Sequence, residues 1–267
     1  MWLEANESTT PWRVSVNQLK TWHKCQRRFE LHHLRQLQWP SDPSNFAYGQ
    51  AVHTLMDYQS RDLDCAPLLA VASMQVQQAW QWLLADDTCH WPVIASEWGF
   101  TVPAPEHSLL KNAVLVGRMD RISRSPDGVV ALIDWKTGTA VPKDPVNDWQ
   151  TRVYLYALAE ARSHLGLNET PLDAIKFRYV AVKNGIRHTD VPYSEAFHDE
   201  TRERLIEALV AMATATCYPL PETCPDRYCG YRKVCGIENT EGLEASQGLA
   251  SERTHTNASV SSQPRAE

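Results

Sequence analysis

Residues 113–136 read AVLVGRMDRISRSPDGVVALIDWK, and this stretch decides the fold. Its centre, Pro126-Asp127-Gly128, fits a type I turn closed by a glycine in the left-handed conformation. The apolar runs on either side then read as antiparallel strands, 113–123 and 129–136. A three-residue loop pairs Ser125 with Val129, and that register sets Asp120 opposite Asp134 and Arg118 opposite Lys136. Opposed residues share a face of the sheet, and Lys136, two residues beyond Asp134, returns to it. Turn geometry thus predicts two carboxylates and an amine on one spot, provided no bulge slips the strand by one residue.

Working outward, the periodicity predicts helices at 15–34, 46–60 and 69–84 before the hairpin. Ser15 and Gln18 have capping-box spacing, and Leu19, Trp22, Cys25 and Phe29 recur at helical intervals. A strand is expected at 93–102. After the hairpin come a helix at 148–162, strands near 174–182 and 186–191 joined at Asn184-Gly185, and a helix at 195–216. The class expected is α/β, with a central mixed sheet flanked by helices.

Two carboxylates a few ångströms apart repel each other unless a cation lies between them. Magnesium or manganese suits oxygen ligands and would polarise a phosphoryl group, while Lys136 could stabilise charge developing there. Taken alone, the same three residues would serve equally as a salt-bridge cluster on an exposed sheet face.

The wider pattern resembles the RecB-like branch of the PD-(D/E)XK nuclease superfamily. Asp134-Trp135-Lys136-Thr137-Gly138 looks like its D-x-K-T-G core, and Gly117-Arg118-Met119-Asp120-Arg121-Ile122 like its G-x-x-D-R-I strand. Gly49 through His53 matches its G-x-x-x-H helix motif, Gln150 through Tyr154 its Q-x-x-x-Y motif, and Glu97 takes the place of a recurrent acidic residue. The resemblance implies a metal-dependent phosphodiesterase acting on DNA, with Asp120, Asp134, Lys136, Gln150 and Tyr154 catalytic. It implies His53, Asp120 and Asp134 as metal ligands, Gln150 and Tyr154 as DNA contacts, and Glu97 as an accessory, while the strand register, which sets Arg118 opposite Lys136, makes Arg118 a further expected DNA contact. Gly49, one turn before His53, is expected to leave open space beside the imidazole.

Seven cysteines are present, an odd number that argues against complete internal pairing. In AddB-like nucleases and the CRISPR-associated adaptation nucleases, one cysteine near the N-terminus joins three near the C-terminus around a 4Fe–4S cluster. By that resemblance Cys25, Cys224, Cys229 and Cys235 would hold such a cluster here. The spacing departs from the family's C-x₂-C-x₅-C, because Asp226 occupies the expected first position and Cys224 is the nearest thiol. Four thiolates would also satisfy zinc.

The net charge of −6 does not advertise nucleic-acid binding, although part of it lies in the last thirty or so residues. These are rich in Ser, Thr, Glu and Gln, and a disordered tail at 238–267 is expected after a nuclease domain at 1–237. No secretory signal and no membrane-spanning run is visible, which points to a cytoplasmic protein. No G-x-x-x-x-G-K-[ST] motif appears, so any unwinding would come from a partner helicase or a repair or adaptation complex. The expected function is a DNA nuclease, most simply an exonuclease. The competing reading is a DNA-end-binding accessory subunit with weak or no cleavage, against which the intact Asp120, Asp134 and Lys136 argue.

Overall fold

A computed structural model describes residues 10–38, 44–137, 141–226 and 228–237. The tail expected to be disordered lies outside the described residues. The chain divides into two compact units, Met1–Pro219 and Leu220–Glu267.

The first unit is a six-stranded mixed sheet with helices on both faces. The strands are β1 (Trp12–Ser15), β2 (Val93–Pro103), β3 (Ala113–Arg124), β4 (Val130–Lys136), β5 (Ile175–Val182) and β6 (Ile186–Pro192). The order is β1-β3-β4-β5-β6, with β2 also paired to β3. β1 runs parallel to β3 and β4 parallel to β5, and the other pairings are antiparallel. The helices are α1 (Val16–Lys24), α2 (Gln26–Phe29), α3 (Ser44–Ser60), α4 (Ala66–Val71), α5 (Met74–Leu84), α6 (Trp149–Glu160) and α7 (Glu195–Thr214). Among the described residues no helix is long and apolar enough to cross a membrane.

β4 is buried on both faces, as its near-continuous apolar run requires. Val130 and Leu132 enter a core shared with α6 and α7, whereas Ala131, Ile133 and Trp135 enter a second core with α3 and α5. The tight turns form as expected. Gly128 sits at φ 86°, and Ser125 N donates to Val129 O at 2.9 Å. Asn184 and Gly185 both take positive φ within the three-residue loop that joins Val182 to its partner Ile186.

Three expectations are corrected. The helix expected at 15–34 breaks at Cys25, whose backbone is extended at φ −165° and whose Sγ accepts from Arg28 N, so the thiol caps α2. A π-helical turn, Glu30–Leu34, follows. The helix expected at 69–84 is two helices, because Ser73 caps α5 through its hydroxyl. β1 goes unforeseen: its four residues are too few for a period to show.

The second unit, in its described part, is a series of turns. Cys224 Sγ lies 3.2 Å from Asp226 O, Cys229 N donates to the same oxygen, and Cys235 N donates to Tyr231 O. None of the seven cysteines forms a disulfide.

Candidate active site

The β3–β4 ladder follows the register set by the turn from Arg124↔Val130 up to Arg121↔Ile133. One step further the strands part. Asp120 does not pair across the ladder with Asp134. Its Oδ2 instead accepts from the backbone N of Trp135 at 3.0 Å. The cause lies in β3, where Met119 and Ile122, three residues apart, both enter the α6-side core. Strict alternation would send them to opposite faces, so the strand's facing slips by one between them. Arg118 likewise does not meet Lys136. It pairs with Gly99 of β2, and its Nε lies 2.9 Å from Glu97 Oε2.

Arg121 explains what holds this slip in place. It is buried, and its guanidinium donates to Cys89 O, to Trp91 O at 2.6 Å, to Gln59 Oε1 and, through Nε, to Ser123 Oγ. A planar fork with five donors can satisfy four acceptors at once, which an ammonium cannot match in geometry. One buried side chain thus ties β3 to α3 and to the turn before β2.

Two groups of side chains meet at the open end of the sheet. In the first, His53 Nδ1 lies 3.3 Å from Asp120 Oδ2, and ligand atoms of His53, Glu97 and Asp120 all lie within 4.8 Å of one another. Glu97 reaches this group from a left-handed backbone, φ 47°, within a strand. That conformation is costly for a residue with a side chain and persists only where its surroundings impose it. In the second, Lys136 Nζ lies 2.7 Å from Asp134 Oδ2 and donates to Gln150 Oε1 at 3.0 Å, while Gln150 Nε2 donates to Asp134 Oδ1. Gln150 is placed by the cap of α6, where Asp148 accepts from Gln150 N and from the ammonium of Lys20.

The glycines of both helix and strand motifs are packing requirements. A Cβ on Gly117 would meet the Phe100 ring at 2.6 Å and Tyr154 at 3.2 Å. A Cβ on Gly49 would lie 2.9 Å from Thr137 Oγ1. Gly49 therefore lets α3 press on the end of β4, and the expectation that it clears space beside His53 is corrected.

Electrostatics follow from the crowding of carboxylates in a poorly solvated place. Burial and the neighbouring Asp120 push the Asp134 carboxyl up to about 6, against the opposing pull of Lys136. Burial and Asp120 raise Glu97 also, against Arg118 and His53. Burial lowers the His53 imidazole, but the hydrogen bond and charge of Asp120 outweigh it, aided by Asp134 and Glu97, and the net direction is up. Burial, with Asp120 and Asp134 nearby, raises Tyr154 well above the ordinary phenol range, so its hydroxyl keeps its proton.

Two further residues went unseen in the sequence. Tyr179 of β5 pairs with Asp134, lies under Lys136 with its ring centroid 5.5 Å from Nζ, and shares a 2.7 Å hydrogen bond with Thr151 of α6. Neither carried a local signal, since Tyr179 sits in an apolar run and Thr151 inside a helix. His53, Glu97, Asp120 and Lys136 line a cleft of about 970 Å³ together with Phe46, Tyr48, Arg61 and Arg118.

The model of the PD-(D/E)XK nuclease superfamily matches residues 13–236. No curated protein matches the chain. Among solved structures, a protein of Eubacterium rectale described as a "putative exonuclease" aligns at 15% identity and TM-score 0.48, over 85% of this chain and 91% of its own. The protein SSO0001 aligns at 15% identity and TM-score 0.41, over 90% of this chain and 94% of its own.

Proposed function

Because the chain belongs to the PD-(D/E)XK nuclease superfamily, we propose that it is a metal-dependent DNA nuclease, most simply an exonuclease, of the RecB-like branch. The observation that carries this reading is the meeting of His53, Glu97 and Asp120 beside the Asp134–Lys136–Gln150 group. A hard divalent ion fits these residues. Three donors already converge, and burial together with the neighbouring Asp120 raises the carboxyls of Glu97 and Asp134, a setting that a bound cation would relieve. His53, Asp120 and Asp134 are the ligands expected from sequence, and the convergence supports adding Glu97. Magnesium or manganese bound there would supply Lewis-acid polarisation of the phosphodiester.

The chain's own residues do the rest. Lys136 holds its ammonium against Asp134 and Gln150, poised to offer positive charge to a phosphate oxygen. Gln150 bridges both partners and fixes their rotamers. Tyr154, kept protonated, has a hydroxyl proton to donate to a phosphate oxygen. Arg118, with a largely exposed side chain, can trade Glu97 for the DNA backbone.

The four-thiol set Cys25, Cys224, Cys229 and Cys235 remains proposed on the strength of the sequence resemblance. Its soft sulfur donors, free of disulfides, suit a 4Fe–4S cluster or zinc. Iron and sulfide assay of anaerobically purified protein decides between them.

The test of the main reading is degradation of end-labelled DNA with and without magnesium or manganese. Cleavage that requires the ion and disappears in Asp120→Asn supports it. Ion-independent cleavage, or none from wild type with any DNA, overturns it.

A further inference from the structure

The face of α3 that carries His53 continues in both directions along the cleft. Phe46, Gln50, His53 and Asp57 follow one another at helical spacing, and all line it. At the amino-terminal end stands Phe46, a residue 57% exposed. At the other end, just past the helix, stands Arg61, and across from the helix stands Arg118. Both arginine side chains are more than half exposed, and among the described residues each forms an ion pair with a single carboxylate, Asp57 at 3.0 Å and Glu97 at 2.9 Å. Exposed pairs of this kind are worth little and exchange readily for another anion.

The exposed ring borders a cleft that carboxylates, arginines and further aromatic side chains, Tyr48 and Tyr154 among them, also line. Phe46 precedes His53 by seven residues, about 10 Å of helix. A substrate lying along α3 would therefore meet an aromatic plane near one end and cations toward the other, with the candidate metal group between them. That order matches a polyanion whose bases are free to turn outward. Duplex DNA keeps its bases stacked inside and offers a ring only the outer faces of its two end pairs, whereas an unpaired strand offers a face at each nucleotide.

We propose that Phe46 is a stacking platform for an unpaired base, and that it makes the site selective for single-stranded DNA whose phosphates are held by Arg61 and Arg118. The proposal rests on the nuclease reading for its substrate and adds the residue that senses strand state. Phe46 touches neither the scissile phosphate nor the metal group, so it acts on binding and not on the chemistry.

The test compares wild type, Phe46→Ala and Phe46→Trp on three labelled oligonucleotides: a single strand, the same strand with successive abasic sites near its end, and the blunt duplex. Fluorescence anisotropy gives affinity in the metal-free protein, and gel assay gives cleavage with magnesium or manganese. In Phe46→Ala, affinity for the intact strand should fall by about tenfold or more. Binding of the abasic strand and of the duplex should stay within a factor of two or so of wild type. Phe46→Trp should keep or tighten single-strand binding. Where cleavage is measured, the loss should appear in KM with kcat retained. The idea is overturned if Phe46→Ala binds the intact strand like wild type, or weakens intact, abasic and duplex DNA alike. If wild type binds the intact strand through Phe46 but cuts nothing, the platform stands and the nuclease reading falls, so the two failures are distinct.

Discussion

Lys136 Nζ lies 2.7 Å from Asp134 Oδ2, an oxygen that is buried and accepts no well-aligned hydrogen bond among the described residues. The ion pair is what makes a buried carboxylate tolerable at this place. Removing the lysine strands that charge, and breaking a buried pair is commonly worth about 3–5 kcal/mol. Lys136→Ala should therefore lose cleavage by about a hundredfold or more and also melt earlier in metal-free buffer. Adding Asp134→Asn should restore the melting temperature but not the cleavage. Thermal melts of the two variants, run with a nuclease assay, check both halves; a double variant as unstable as the single one would refute the pairing argument.

Glu97 takes a left-handed backbone where its carboxylate joins His53 and Asp120, the candidate metal ligands. Glu97→Gln keeps its shape and hydrogen-bonding reach but removes the charge. The manganese concentration needed for half-maximal binding, read by titration calorimetry, should rise by about tenfold or more. An unchanged manganese affinity would show that Glu97 stands beside the ion without holding it.

Gly117 faces the Phe100 ring at a distance no Cβ tolerates. Gly117→Ala should cost ~1–3 kcal/mol of stability and shift Tyr154, lowering cleavage with it. Phe100→Leu in the same chain vacates the colliding atoms and should recover much of both. Loss of activity that Phe100→Leu leaves untouched would place the role of Gly117 elsewhere.

Arg118 bridges to Glu97 and not to Lys136. Its exposed guanidinium should contribute one phosphate contact. Arg118→Ala should weaken binding of all DNA sequences alike and lower the slope of log affinity against log salt by about 0.7–0.9. A salt series at fixed pH reads this directly, and an unchanged slope would remove Arg118 from the interface.

His33, in the π-helical turn after α2, is lowered to about 4 by burial, by His32 and by Arg28. The unfolded chain takes this proton near the ordinary histidine value, and the folded chain takes it only near 4. Below about 6.5 the unfolded state thus binds more protons, and stability falls as pH drops toward 4. Solvent screening at this half-exposed ring leaves the effect at ~1–2 kcal/mol. Denaturant midpoints at pH 7 and pH 5 should converge more closely in His33→Leu than in wild type. Equal pH sensitivity in the two proteins would mean that His33 titrates normally in the fold.

The hairpin was legible because its information is local. Pro126-Asp127-Gly128 dictates a turn, the turn dictates a register, and the register holds from Arg124↔Val130 to Arg121↔Ile133. His53, Glu97, Gln150 and Tyr154 carry no such local signal and stand out only because their motifs, in order, resemble those of a known nuclease family. What the sequence could not determine begins one residue beyond Arg121. There a buried guanidinium bonded to Cys89, Trp91 and Gln59, all distant in sequence, anchors β3 where its facing slips, and Asp120 meets the backbone of Trp135 and the ring of His53. Alternation along a strand is a rule of backbone geometry, and it yields where long-range packing stabilises a break more than the regular ladder would. Tertiary structure alone therefore decided that Glu97 joins His53 and Asp120, that Asp134 is paired with Lys136 and Gln150, and that Phe46 stands at the end of the same cleft.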